Sequence, residues 1–177
     1  MRQTCRPHST PDQSRTLQSA RSFALNTTRK HYGTLGIFLT LVLITGFTVG
    51  IAIRPGDWYE TLVKPWFTPP NWLFAPAWIL VYILIAIAGW RVTIGHGLSS
   101  TLFRLWTLQM LLNWAWTPVF FGFRQVGLGL AVIACLLLVV MAFLIKAQDR
   151  VARWSFVPYA LWLAYATSLN AAIFFLN

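Results

Sequence analysis

The chain has 177 residues, of which 57% are hydrophobic, 16% aromatic and only 10% charged. A soluble globular protein carries about 25% charged residues, so this composition lacks the polar surface to face water on all sides and describes a membrane protein. The net charge of +10 does not describe a nucleic-acid binder, because the basic residues cluster before residue 31 and beside apolar runs instead of striping one folded domain.

Residues Met1 to Lys30 are polar, rich in Ser, Thr and Arg, with Asp12 as their one acid. They show no sustained apolar period and read as a disordered basic tail. The same composition is also that of an organelle transit peptide, and residues upstream of a later start codon are a third reading. The chain divides into this tail, residues 1–32, and a membrane domain, residues 33–177.

Five apolar runs follow, approximately Gly33 to Ile53, Trp72 to Val92, Leu102 to Phe121, Val126 to Ile145 and Trp154 to Leu176. Each is near the twenty residues that cross a bilayer core. Backbone groups in lipid must be satisfied within the segment, so helices are the expected form. The predicted fold is an all-α bundle of five transmembrane helices. Arg2, Arg6, Arg15, Arg21, Arg29, Lys30, Arg91, Arg104, Lys146, Arg150 and Arg153 fall on one side; only Arg54, Lys64 and Arg124 fall on the other. The excess of positive charge places the amino terminus in the cytoplasm.

The first connection carries VKPWFTPPNWLFAPAW, Val63 to Trp78. Pro65, Pro69 and Pro70 fix φ and remove donors, and Lys64, Thr68 and Pro69, each before a proline, are pushed toward extended backbone. Trp58, Trp66 and Trp72 suit the water–lipid interface. Two readings follow: an aromatic belt with a stiff turn, or a preorganised aromatic lid over the open end of the bundle. The lid reading makes Trp66 a candidate ligand contact.

WYETLVKPWFTPPNWLFAPAW, LQMLLNWAWTPVFF and VPYALWLAYATSLNAAIFFLN together resemble the signatures of the translocator protein family, the tryptophan-rich sensory proteins or TspO/MBR proteins. The resemblance spans about Gly33 to Asn177. It implies a five-helix membrane protein, usually a homodimer, that binds porphyrins, haem-pathway tetrapyrroles and benzodiazepine-type ligands. By resemblance Tyr59, Trp78, Asn113, Thr117, Phe120, Trp162, Ala166 and Leu169 line its pocket. Helical spacing adds Tyr82, four residues after Trp78, and Asn170, four after Ala166. Such stripes also arise from ordinary helix packing, and Asn113 and Asn170 suit interhelical hydrogen bonding as well.

A tetrapyrrole would be held by ring stacking, with Lys64 and Arg54 as candidates to pair its carboxylates. Lys64 also reads as a snorkelling interfacial cation. His8, His31 and His96 lie outside the apolar runs, so no histidine there offers an axial ligand. Binding needs no iron, and no metal site or required cofactor is expected; porphyrin or haem is ligand, not cofactor. No acid–base or nucleophile constellation appears among Asp12, Asp57, Glu60 and Asp149, and no catalytic residue is assigned.

The resemblance also carries two alternatives: transport of porphyrins or other small apolar ligands, and light-dependent porphyrin breakdown at Trp78 and Trp162. A sensor or regulator needs only binding and is the simpler reading. After Tyr165 the sequence ATSLNAAIFFLN lacks the basic residue of the sterol pattern of animal members, which favours a bacterial membrane. Cys5 and Cys135 offer no disulfide framework. GFTVG, Gly46 to Gly50, suits close helix packing either between chains or within one.

Overall fold

The computed structural model describes the backbone of residues 13–53 and 56–177, and the side chains of residues 32–53 and 56–177. Residues 1–12 of the expected tail, with Cys5 and His8, and Arg54 in the first connection lie outside the described residues. The described chain divides into two compact units, one ending at Thr34 and the other Leu35–Asn177.

All described regular structure is helical: α1 (Gln13–Ala52), α2 (Asp57–Thr61), a 3₁₀ turn (Asn71–Leu73), α3 (Phe74–His96), α4 (Thr101–Thr117), a π turn (Pro118–Gly122), α5 (Val126–Lys146) and α6 (Arg150–Leu176). Among the described residues, four helical stretches are long and apolar enough to cross a membrane: Tyr32–Ala52, Asn71–His96, Val126–Lys146 and Arg150–Leu176. The third apolar run forms α4, whose 17 residues are extended by the π turn. The short α2 has no counterpart among the apolar runs.

The ends of these helices follow from local chemistry. Ser100 caps α4 by accepting the Phe103 N–H at 3.2 Å, and Asp149 caps α6 by accepting the Ala152 N–H at 2.8 Å. α3 stops at Gly97, whose φ of 76° suits a residue without a Cβ. Pro118 cannot donate a hydrogen bond, and the chain widens there into the π turn, closed by the Phe123 N–H on the Pro118 carbonyl at 2.8 Å. The return to α5 is short enough that Arg124 takes φ 58°.

The core lies among α3, α4, α5 and α6. Ile85, Leu136, Val140, Phe143, Phe156, Tyr159 and Leu163 are buried. Phe143 and Phe156 stack with centroids 4.0 Å apart, tying α5 to α6. Lipid is as apolar as these side chains, so close packing and interhelical hydrogen bonds hold the helices together. α1 reaches the core through a stripe at four-residue intervals, Phe38, Val42 and Gly46. Phe38 meets Trp106 edge-on at 5.1 Å. A Cβ on Gly46 would collide with the Tyr82 ring, so this glycine serves a close approach within one chain.

One end of the bundle is tied by charge. The Arg91 guanidinium near the end of α3 donates to both carboxylate oxygens of Asp149, at the start of α6. That contact, before any capping bond, holds the Asp149 carboxyl below its ordinary pKa.

Candidate ligand-binding cavity

At the opposite end of α3 the helices separate around a cavity of about 680 Å³, within the usual size range of small-molecule sites. Helical period decides what each wall presents. Phe74, Trp78 and Tyr82 follow one another at four-residue steps on α3, while Asn113, Trp116, Thr117 and the π turn's Phe120 share a face. α6 contributes Trp162, Ala166, Leu169, Asn170 and Ile173; α1 contributes Gly46, Phe47, Gly50 and Ile51. Tyr59 and Glu60 of α2 and Asn71 complete the end near the first connection.

The aromatic rings are arranged mostly edge to face. Trp78 and Trp162 meet with centroids 6.2 Å apart and planes at 86°. Phe74 abuts Trp162 at 6.0 Å, and Trp116 stacks on Phe120 at 5.2 Å. This geometry leaves indole and phenyl surfaces bordering the open space.

Polar groups in the wall are cross-tied. The Tyr82 hydroxyl donates to Asn113 Oδ1 at 3.2 Å. Asn113 Nδ2 donates to the Tyr159 hydroxyl at 3.1 Å, which donates to Gln109 Oε1 at 3.0 Å. Trp116 Nε1 donates to Asn170 Oδ1 at 3.2 Å, and Asn170 Nδ2 donates to the Val126 carbonyl at 3.3 Å. Both asparagines therefore border the cavity and bond across helices. Burial, then the neighbouring Glu60 charge, raises the Tyr59 phenol above its ordinary pKa, so it stays protonated.

The first connection is fastened to α6. The Asn177 side chain accepts the Val63 N–H at 3.0 Å and donates to the Val63 carbonyl at 3.1 Å. Pro65 to Thr68 form a turn closed by the Thr68 N–H on the Pro65 carbonyl at 3.0 Å. The Tyr165 hydroxyl donates to the Phe67 carbonyl at 2.9 Å. Lys64 lies 4.6 Å over the Tyr59 ring, with its ammonium 3.4 Å from Glu60 Oε2.

Ten of the sequence candidates, Tyr59, Trp78, Tyr82, Asn113, Thr117, Phe120, Trp162, Ala166, Leu169 and Asn170, border this one cavity. Trp66 does not: it sits at the turn's tip, 95% exposed. Sequence reasoning missed Phe74 and Trp116, although four-residue spacing from Trp78 and Phe120 singles them out. The α1 wall carried no comparable polar or aromatic pattern. Among the described residues no group of three His, Cys, Asp or Glu gathers to hold a metal.

Fold and composition define an all-helical membrane protein, and its helices surround an aromatic-walled cavity. Residues 38–176 match the TspO/MBR family, and the chain belongs to that family. Similar proteins include the tryptophan-rich sensory protein of Cereibacter sphaeroides, 37% identical over 146 residues, which cover 80% of this chain and 91% of the relative. Protein CrtK of Rhodobacter capsulatus is 39% identical over 134 residues, covering 72% and 83% of the two chains. The translocator protein of Homo sapiens is 32% identical over 144 residues, covering 76% and 85%.

Proposed function

We propose that this protein is a membrane receptor for planar tetrapyrroles, porphyrins foremost, acting as a sensor or regulator. The observation that carries the reading is the perpendicular Trp78–Trp162 pair in a cavity of about 680 Å³. A macrocycle presents a broad apolar face to such rings and gains stacking there. Its carboxylates would take Lys64 from Glu60 at the loop end. No His, Cys or Met is among the residues bordering the cavity, and the protonated Tyr59 is a poor iron ligand. Shape and stacking therefore suffice, with or without iron.

In this reading residues 33–177 form the membrane domain, and α4 with its π turn crosses as the fifth span. α4 alone is about 26 Å long, and the turn brings it to the thickness of a bilayer core. The amino terminus lies in the cytoplasm of a bacterial cell, and the Arg91–Asp149 pair supports grouping the basic ends of α3 and α6 on that side. The functional unit is a homodimer.

Titration of the purified protein with protoporphyrin IX, followed by tryptophan fluorescence, tests the function. Trp78→Phe and Trp162→Phe should each weaken binding modestly, and either alanine substitution about fivefold or more, the worth of roughly 1 kcal/mol of ring contact. The double phenylalanine variant should also lose most of the quenching. Unchanged affinity and quenching in that variant would place the ligand elsewhere.

A further inference from the structure

Resting on the tetrapyrrole reading, we propose that the ligand reaches the cavity sideways from the bilayer, through an apolar slot between α1 and α3 that Gly50 keeps open. The cavity walls are unequal. On α4, the π turn and α6, Asn113, Phe120, Leu169, Asn170 and Ile173 are buried. On α1 and α3, Phe47, Ile51 and Ile79 border the same cavity yet are 48%, 62% and 38% exposed. The α1–α3 side is therefore the more accessible wall of the cavity.

Gly50 marks where that wall is thinnest. It borders the cavity and is exposed, and a Cβ added there would meet nothing within 4 Å. One turn earlier, Gly46 is packed against Tyr82. α1 thus touches α3 at Gly46 and leaves a gap beyond it. Every side chain named in this slot is apolar, so the opening suits lipid-dissolved matter better than water.

The loop end offers the alternative route, and its features disfavour it. Glu60 and Asn71 are exposed there, and the Glu60–Lys64 ion pair stands at that end. Asn177 and Tyr165 fasten the loop to α6 through its backbone. A dicarboxylic porphyrin in a bilayer holds its carboxylates at the headgroups and its ring among the acyl chains. Moving laterally, it passes its apolar edge between the helices while the carboxylates stay at the level of Lys64. No charge has to cross apolar surface.

The test uses the full chain in liposomes carrying protoporphyrin IX, with tryptophan quenching followed by stopped flow. Gly50→Phe should slow association and dissociation alike, about tenfold, because the plug narrows the passage in both directions. Ile79→Phe narrows the slot from α3 and should act in the same direction. Asn177→Ala, which frees the loop, should bind at the wild-type rate. Association unslowed by both phenylalanine substitutions overturns the slot, and so does faster association in Asn177→Ala. A raised Kd with unchanged dissociation also counts against it, since the added ring would then occupy the cavity itself.

A second arm does not depend on porphyrin. In vesicles of phosphatidylcholine with brominated acyl chains, quenching of Trp78 and Trp162, taken by difference from their double phenylalanine variant, should fall in Gly50→Phe. Equal quenching overturns the slot. If wild-type protein binds no porphyrin while this arm succeeds, the tetrapyrrole reading fails and the lateral opening stands.

Discussion

Two glycines four residues apart on α1 have opposite roles. Gly46 lets the helix approach Tyr82, whose hydroxyl is itself engaged by Asn113. Gly46→Ala should therefore destabilise the protein by about 1–3 kcal/mol through overpacking. Gly50→Ala meets open space and should be neutral or stabilising by up to about 1 kcal/mol, the helix preference of alanine over glycine. Thermal melts of the two variants in one detergent check the pair. Destabilisation of equal size at both positions would mean that α1 packs as closely at Gly50 as at Gly46. The small-residue pattern alone does not distinguish the two; the ring opposite each does.

At the scale of elements, the first connection combines stiffness with anchoring. Pro65, Pro69 and Pro70 restrict the unfastened chain, and the Val63–Asn177 and Phe67–Tyr165 hydrogen bonds hold the restricted loop in place. Replacing Pro69 and Pro70 together with glycine restores backbone freedom that binding must remove. Porphyrin affinity should fall by on the order of 1–2 kcal/mol, about tenfold or more. Lys64→Ala should cost less than about 1 kcal/mol, because a partly exposed ion pair contributes little and Lys64 already has Glu60 as partner. Titrations of the two variants with protoporphyrin IX decide the ranking; a larger loss in Lys64→Ala would mean that capture of the ligand's charge outweighs the stiffness of the loop.

For the whole molecule, Asp149 is the contact to test, because it caps α6 and also ties α6 to α3 through Arg91. Its folded pKa lies below the ordinary carboxylate value. The stability it contributes is therefore present above the unfolded pKa and is lost as pH falls through the folded one. Asparagine keeps the cap and removes the charge. Asp149→Asn should cost up to about 1 kcal/mol at neutral pH for this partly exposed pair. Asp149→Ala should cost about 1 kcal/mol more, from the lost cap. The gap between wild type and Asp149→Asn should narrow in melts run from pH 7 downward once the pH passes the ordinary carboxylate pKa, and close only below the lowered folded pKa. A gap that stays constant over that range would mean that the ion pair contributes nothing to stability.

Much of this architecture was legible in the chain, because its cause is local. The apolar runs coincide with α3, α4 and its π turn, α5 and α6 to within a few residues, since an apolar stretch in lipid must satisfy its own backbone; α1 instead begins at Gln13, well ahead of its apolar run and inside the stretch read as a disordered tail. The i, i+4 spacing of Trp78 and Tyr82, and of Trp162 and Ala166, put each pair on one face without reference to a partner. Pro118 lies inside the third apolar run; that α4 ends before it in a π turn carrying Phe120 and Phe121 to the cavity was settled by packing. Contacts between distant segments were not legible. Trp66 and Trp116 are both tryptophans beside prolines or apolar residues, yet one is exposed at a turn and the other hydrogen-bonds Asn170 beside the cavity. The clasp of Asn177 on Val63 joins residues 114 positions apart. Helical period dictates which side chains share a face; only the tertiary structure decides what stands opposite that face, because the facing atoms come from elsewhere in the chain.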